Sequence, residues 1–544
     1  MIKYTRSIAQ SDCLRWRPVI LRSKATKDLI NNSMKYLLGI DIGTTGVKTL
    51  LINQAGAIIG RAIKEYPMQT PKPGWAEQDP TDWWQAVVGS IKEIIKSTRI
   101  PSGNIIGIGL SGQMHGSVFL DKNNKVLRPC ILWCDQRTSK ECDYITKKVG
   151  AKRLIGLVGN PALTGFTAGM VLWVRNNEPA IYRKIAHVLL PKDYIRFRLT
   201  NEFATEVSDA SGTLFLDVKN RKWSEQLLSE LDIPIEWMSR CYESIEVTGR
   251  ITAEIAKLTG LKTGTPVMGG GGDQAAQAIG TGIVTPGVIS VNIGTSGVVF
   301  AYSQKPQFDP AGRVHTFCHA VPGQWHVMGV MLAAGGSLCW LRNNLGQEEI
   351  RQARQRKVDP YEILITDAQD IPAGSEGLIF LPYLSGERTP HCDPDARGVF
   401  FGLSLKHTKQ HMTKAVLEGI CFGLRDGLEI IKGMGIPVKE IRLTGGGARS
   451  KIWAQMLADI LDREIVTVEP AEGSAYGAAL LAGIGVGVYR NAIQACRNTL
   501  KLKGRIKPRK KNVTIYARHY ETFKSLYAAL RPEFKAFTTA QRRK

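Results

Sequence analysis

A chain of 544 residues is too long for one hydrophobic core, and 43% hydrophobic content with 55 Gly and 25 Pro is a globular composition, which points to two large domains. The formal charge of +24 would suggest a nucleic-acid binder if it were spread over the body. Residues 1–33 hold +5 of it and residues 497–544 hold +13, leaving +6 between them, so nucleic acid is not the expected partner. No run approaches the roughly 20 apolar residues of a membrane span. The ten cysteines stand singly, with Cys130, Cys134 and Cys142 lacking paired zinc spacing, so a cytoplasmic chain with reduced thiols is expected.

Residues 1–33 are basic, poor in acid and without the apolar core of a secretory signal. Because Met34-Lys35-Tyr36 opens straight into a strand, they are read as a disordered, dispensable extension. Ile40-Asp41-Ile42-Gly43-Thr44-Thr45-Gly46-Val47 then places a glycine turn between two apolar runs, the pattern of a β-hairpin. The same phrase returns as Val291-Asn292-Ile293-Gly294-Thr295-Ser296-Gly297-Val298. Two copies a domain length apart imply two related domains facing each other. Such turns offer backbone N–H groups and small hydroxyls to phosphate oxygens. Only the first copy keeps a carboxylate, so a divalent cation is expected at Asp41 and hydrogen bonding alone at the second turn.

Between the copies, Asp79-Pro80-Thr81-Asp82 reads as a capped helix start ahead of Trp83 to Lys96. Ile105 to Leu110 reads as a buried strand delivering Ser111-Gly112-Gln113-Met114-His115-Gly116 at its C-terminal end, where open α/β sheets hold ligands. His115 between glycines is expected to contact substrate; a lone structural histidine is the plainer alternative. Val267-Met268 runs into four glycines and then Asp273-Gln274. A carboxylate there suits a general base acting on an alcohol, the alternative being a cap for the next helix.

After the second hairpin, Ile441-Arg442-Leu443-Thr444-Gly445-Gly446-Gly447-Ala448-Arg449-Ser450 is another strand entering a glycine turn, suited to a nucleotide at a helix entrance. Gly473-Ser474-Ala475-Tyr476-Gly477-Ala478-Ala479 opens a helix of small residues that permits close packing. The charge run Lys501–Lys511 is taken as a solvated face. The organisation expected is an extension over 1–33, domains over 34–280 and 281–490, and a basic segment over 491–544.

These motifs resemble those of the FGGY carbohydrate kinases, in the superfamily of actin, hexokinase and the Hsp70 ATPase, over about Met34 to Gly487. Asp41-Ile-Gly-Thr-Thr45 is similar to the family's first phosphate motif, Asn292-Ile-Gly-Thr-Ser296 to the second and Thr444-Gly-Gly-Gly-Ala448 to the adenosine motif. Arg397-Gly-Val-Phe-Phe-Gly-Leu403 with His411-Met-Thr-Lys-Ala-Val-Leu-Glu-Gly419 resembles the C-terminal signature. The Met114-His115 pair is most similar to members that phosphorylate D-xylulose and also occurs in gluconate kinases. Two departures stand out: Gly169-Met170 where the family has Pro-Lys, implying a looser loop and a lost cation, and Cys134 where Asn is common.

The resemblance implies two actin-like, ribonuclease H-like α/β domains with a ligand cleft between them. It implies ATP and Mg²⁺ as cofactors and D-xylulose as the small-molecule partner, with no membrane; a homodimer is left open. Asp273 is the implied proton acceptor, Met114, His115, Asp273 and Gln274 the sugar contacts, and Asp41 the metal residue. Thr44, Thr45, Gly294, Thr295, Gly445, Gly446, Gly447 and Ser450 are the implied ATP contacts. The alternatives are another FGGY sugar or polyol kinase, gluconate first, and an actin-like or Hsp70-like ATPase without a small acceptor.

Overall fold

The computed structural model describes residues 34–470 and 472–542; the expected 1–33 extension lies outside them. Two seven-stranded mixed sheets organise the chain. Tyr36–Ile42, Gly46–Asn53 and Ile58–Glu65 form an antiparallel meander, and Ile105–Gly112 pairs parallel with the first of them. Pro266–Met268 and Val247–Arg250 complete that side. The second sheet repeats this plan. Gly287–Ile293, Gly297–Ser303 and Trp325–Met331 form the meander, and Val438–Gly445 pairs parallel with the first strand. Ile465–Glu469 and Lys501–Ile506 extend it on that side. The duplicated phrase is thus a duplicated frame. Its register is also repeated, with Asp41 beside Ser111 in one sheet and Asn292 beside Thr444 in the other.

The local causes are legible. Leu37, Leu38, Ile40 and Ile42 are fully buried, as in a central strand covered on both faces. Helix Pro80–Thr98 starts where Asp79 accepts a hydrogen bond from the Thr81 amide at 2.8 Å, and it ends at Arg99 in a left-handed conformation. Trp83, Val87, Ile91 and Ile94 recur at helical spacing and are wholly buried, each adding about 1.5–3 kcal/mol of transfer free energy.

Helix Gly473–Gly485 lies against the first sheet, not the second. A Cβ at Gly39 would stand 2.0 Å from the Ala475 carbonyl oxygen and one at Gly109 1.9 Å from that of Ala478, so backbone meets backbone. Helix Asp273–Thr281 crosses it just as closely, since a Cβ at Gly477 would fall 1.8 Å from the Ala276 carbonyl oxygen. The small-residue helix is therefore a packing device, as read from its sequence.

The charge run Lys501–Lys511 is exposed, as a solvated face is, but it belongs to an ordered strand and to the start of a helix that packs on the second domain. Lys501–Ile506 pairs with Ile465–Glu469, and helix Lys510–Arg542 places Tyr516, Tyr520, Phe523 and Tyr527 in the core of the second domain. Its cations meet acids of that domain: Arg509 to Asp459 at 2.7 Å, Lys503 to Glu469 at 2.5 Å, Arg505 to Glu464 at 2.7 Å. The aromatic spacing of four, three and four residues is a helical core stripe that the charge run masks. The looser loop expected at Gly169-Met170 is also absent. Both residues sit in the first turns of helix Thr167–Asn177 and are buried, with the Ser117 hydroxyl donating to the Met170 sulfur at 3.4 Å. No described helix is long and apolar enough to cross a membrane.

Candidate active site

The first hairpin turns as expected, with the Gly43 amide donating to the Gly46 carbonyl at 3.1 Å. Asp41 is the next-to-last residue of the strand before it. Its Oδ1 is buried and has no hydrogen-bond partner among the described residues. Burial pushes its carboxyl up to about 6, offset only in part by the Ser111 hydroxyl and the charge of Lys48. The two threonines differ. Thr44 donates its hydroxyl to Gln113 Oε1 at 3.2 Å and accepts from Trp133 Nε1 at 3.0 Å, while its carbonyl accepts from Gln78 at 2.7 Å. Its hydroxyl is therefore committed within the protein, and Thr45, exposed, carries the free one.

The Ser111–Gly116 turn is held by the Gln113 amide donating to the Ile42 carbonyl at 2.8 Å. Met114 is buried against Gly272, where a Cβ would meet its side chain at 2.9 Å. His115 takes a left-handed φ of 72°, and its Nδ1 donates to the Gly212 carbonyl at 2.6 Å. That bond leaves Nε2 as an acceptor. Burial lowers its pKa to about 4, the nearby Arg388 charge acting in the same direction, so the ring is neutral at physiological pH. Phe166 packs on it with centroids 4.5 Å apart.

Asp273 is the first residue of helix Asp273–Thr281; Gly272 holds the cap position, so the capping reading fails. Asp273 accepts from the Gln274 amide at 2.7 Å and the Gln274 side chain at 3.3 Å. Gln274 thus attends the carboxylate. Burial, reinforced by the charge of Asp41, raises the Asp273 carboxyl to about 7. At Gly270, with φ 74°, a Cβ would stand 1.9 Å from the Leu110 carbonyl oxygen, which explains a glycine there.

A buried polar bed beneath this turn escaped the sequence reading. The Gly272 amide donates to Ser208 Oγ at 3.1 Å, and Ser208 donates to Glu206 at 3.0 Å. Lys192 lies 2.7 Å from Asp193, 3.1 Å from Asp209 and 3.4 Å from Glu206, and Arg196 grips the carbonyls of Met268 and Gly269 at 2.7 and 2.6 Å. The signal was Lys192, Asp193 and Arg196 set in the otherwise apolar run Leu189–Phe197.

On the second hairpin the Gly294 and Thr295 carbonyls accept from the Gly335 and Gly336 amides at 2.9 and 3.0 Å, bringing the start of helix Gly335–Leu345 to the turn. These two glycines were also missed, although Ala334-Gly335-Gly336 follows a strand run. Gly445, with φ 80°, lies against Asn292, where a Cβ would be 2.4 Å from Oδ1. Gly446 follows in the same short turn, and Gly447 packs on Ile293. Ser450 caps helix Lys451–Leu461, its Oγ accepting from the Trp453 amide at 3.2 Å, which leaves its O–H free to donate. Among the described residues no His, Cys, Asp and Glu cluster of three or more could hold a metal.

This frame of two repeated glycine hairpins and a carboxylate preceded by four glycines has relatives. Residues 36–280 match the N-terminal domain of the FGGY family of carbohydrate kinases and residues 289–486 its C-terminal domain. The xylulose kinase of Escherichia coli (strain K12) is 41% identical over 496 residues, 91% of this chain and 99% of its own. The gluconokinase of Bacillus subtilis (strain 168) is 36% identical, covering 82% of this chain and 86% of its own. The crystal structure of xylulose kinase from Rhodospirillum rubrum superposes with a TM-score of 0.85 at 31% identity, over 92% of this chain and 100% of the other. The chain belongs to the FGGY family of carbohydrate kinases. The 496-residue match spans more residues than lie between Met34 and Gly487, so the likeness extends beyond the stretch that carries the motifs.

Proposed function

We propose that the protein transfers the γ-phosphoryl group of ATP to the terminal hydroxyl of D-xylulose, giving D-xylulose 5-phosphate. The observation that carries this reading is the juxtaposition of Asp273 with Met114 across Gly272, beside a neutral His115 whose Nε2 is free to accept. Asp273, held near neutrality by burial, is tuned to take the hydroxyl proton. Met114 gives the sugar an apolar wall and His115 an acceptor, while Gln274 holds the carboxylate in place. The identity to the E. coli xylulose kinase over nearly its whole length supports the same acceptor.

Phosphoryl transfer has a loose transition state, so positioning and electrostatics supply most of the rate gain. Thr45 and the backbone of Gly294 and Thr295 are suited to the phosphates, and Gly445, Gly446 and Gly447 to the adenosine. Asp41 fits a Mg²⁺ ion: its unpartnered, desolvated oxygen is a poor resting place for a charge unless a cation compensates it. The ion would neutralise phosphate oxygens. Closure of the domains on both ligands excludes water that would otherwise take the phosphoryl group.

Gluconate is the second reading, favoured by the 36% identity to the B. subtilis gluconokinase. Mg-ATP consumption by the purified protein with D-xylulose, gluconate, ribulose, glycerol or no acceptor, with the product identified, decides between them. Preferential formation of xylulose 5-phosphate supports the first reading; a requirement for a carboxylate in the acceptor supports the second.

A further inference from the structure

We infer that Gln277 is a positioning residue that ties the glycine loop of the second domain to the helix carrying Asp273, so that nucleotide and sugar bind cooperatively. This rests on the reading of Gly445–Gly447 as the nucleotide loop and Asp273 as the base. Gln277 touches neither ligand in that reading.

Helix Asp273–Thr281 is clasped at two points to strand Val438–Gly445, the strand that ends in the glycine loop. Gln277 Nε2 donates to Thr444 Oγ1 at 3.2 Å, and Arg442 Nη1 donates to the Thr281 carbonyl at 2.6 Å. The spacing matches. Four helical residues span about 6 Å and two strand residues about 6.6 Å, so one face of the helix lies along the face of the strand that carries Arg442 and Thr444, the two running antiparallel. Thr444 immediately precedes the loop, and Asp273 stands one helical turn from Gln277.

The adjoining face of this helix, one residue back at Ala276 and Gly280, is equally constrained. It meets helix Gly473–Gly485 where Gly477 and Gly280 leave no space for a Cβ, at 1.8 Å from the Ala276 carbonyl oxygen and 2.3 Å from that of Gly473. Ser474 Oγ donates to the Asp273 carbonyl at 3.0 Å. A helix held by backbone contact on one face and by two hydrogen bonds on the adjoining face moves as a unit. A shift of the glycine loop on taking up adenosine therefore reaches the Asp273 carboxylate through Thr444 and Gln277, without a chain of soft side chains between them.

The test measures D-xylulose affinity by calorimetry with and without a saturating non-hydrolysable ATP analogue. The wild-type protein should bind the sugar about five-fold or more tightly when the nucleotide site is filled, and the analogue should gain the same factor from the sugar. Gln277→Leu should reduce that coupling to about two-fold or less, the scale of one neutral hydrogen bond, while each ligand alone binds within about two-fold of wild type. Thr444→Val should reduce it equally and Thr444→Ser should restore it. The Gln277→Leu/Thr444→Val pair should lose no more than either single variant. Should Gln277→Leu fail to fold, the contrast between Thr444→Val and Thr444→Ser carries the same information. Wild-type coupling absent, or unchanged in Gln277→Leu, overturns the inference while the kinase reading stands. A wild-type protein that binds neither ligand and phosphorylates no sugar overturns the kinase reading itself.

Discussion

The two domains are built on one frame and differ most tellingly at a single functional group. In the first, the strand entering the hairpin carries Asp41, next to its last residue, beside Ser111; in the second, the equivalent strand carries Asn292 at the same place beside Thr444. Asp41 is a desolvated carboxylate with an unpartnered oxygen, whereas Asn292 is a neutral amide lying against Gly445. The frame twice supplies a tight turn and a loop after a parallel strand. Whether that turn holds a charge or only hydrogen bonds is set by one oxygen against one NH₂. Breaking this asymmetry most severely means removing the acid it is built around. Asp273→Ala should lower kcat by at least about 10²-fold, as for loss of a general base, with sugar KM changed far less. In the wild type the acid limb of kcat/KM should fall near pH 7, because the carboxylate must shed its proton to act. Steady-state kinetics across pH 5–9 checks both.

Asp41→Asn makes the first domain resemble the second, and three outcomes are expected. Activity falls by about 10- to 100-fold with weaker Mg²⁺ dependence, the range for disturbing a metal's ligand shell. Residual activity shows its acid limb displaced to lower pH, because the Asp41 charge is one of the causes that hold Asp273 up. The ligand-free protein also becomes more stable at pH 8. Asp41 titrates near 6 in the folded chain against about 3.9 when unfolded, so the native state holds a proton that the unfolded chain has already lost between those values. Stability therefore declines as pH rises from about 4 to 6 and stays lower above it. Replacing Asp41 should recover on the order of 1–3 kcal/mol at pH 8 and little at pH 4, read as a Tm difference between the two pH values.

The reciprocal change, Asn292→Asp, sharpens the comparison from the other side. A second carboxylate would face phosphate oxygens with no cation assigned to it, and like charges brought together in this way weaken binding. KM for Mg-ATP should rise about ten-fold while kcat and sugar KM hold nearly constant. An unchanged nucleotide KM would mean that this hairpin does not approach the phosphates.

How far the sequence could be read follows the same division. The repeated hairpin and the capped helix at Asp79 were legible because each depends on neighbours in the chain, and the glycines before Asp273 because their residue type alone marks a close approach. What stayed hidden depends on partners far away in sequence. The Thr44 hydroxyl is committed to Gln113, 69 residues on, and to Trp133, 89 residues on. The bed beneath Gly272 assembles Lys192, Glu206 and Ser208 from three short elements, and only their burial together shows that they form one network. In the C-terminal helix Lys and Arg outnumber Glu seven to two, while the residues that decide its place are four aromatic side chains at helical spacing.

That helix supplies the mildest test of the comparison, because the first domain has no counterpart to it among the described residues. Tyr516 is buried and donates to Glu418 at 2.8 Å; Glu418 also accepts from the Gly374 amide at 3.0 Å and from Ser375 Oγ at 2.8 Å. Tyr516→Phe keeps the ring in its aromatic setting and removes one of three donors to a buried carboxyl that burial already holds above its ordinary pKa. The cost should be about 1 kcal/mol of stability, with kcat and both KM values unchanged. Glu418 lies on helix Lys409–Gly433, in the core of the second domain, so the loss should appear as a small drop in Tm of the whole molecule. A change in nucleotide KM instead would show that the added helix sets the position of the nucleotide loop as well as sealing the core behind it.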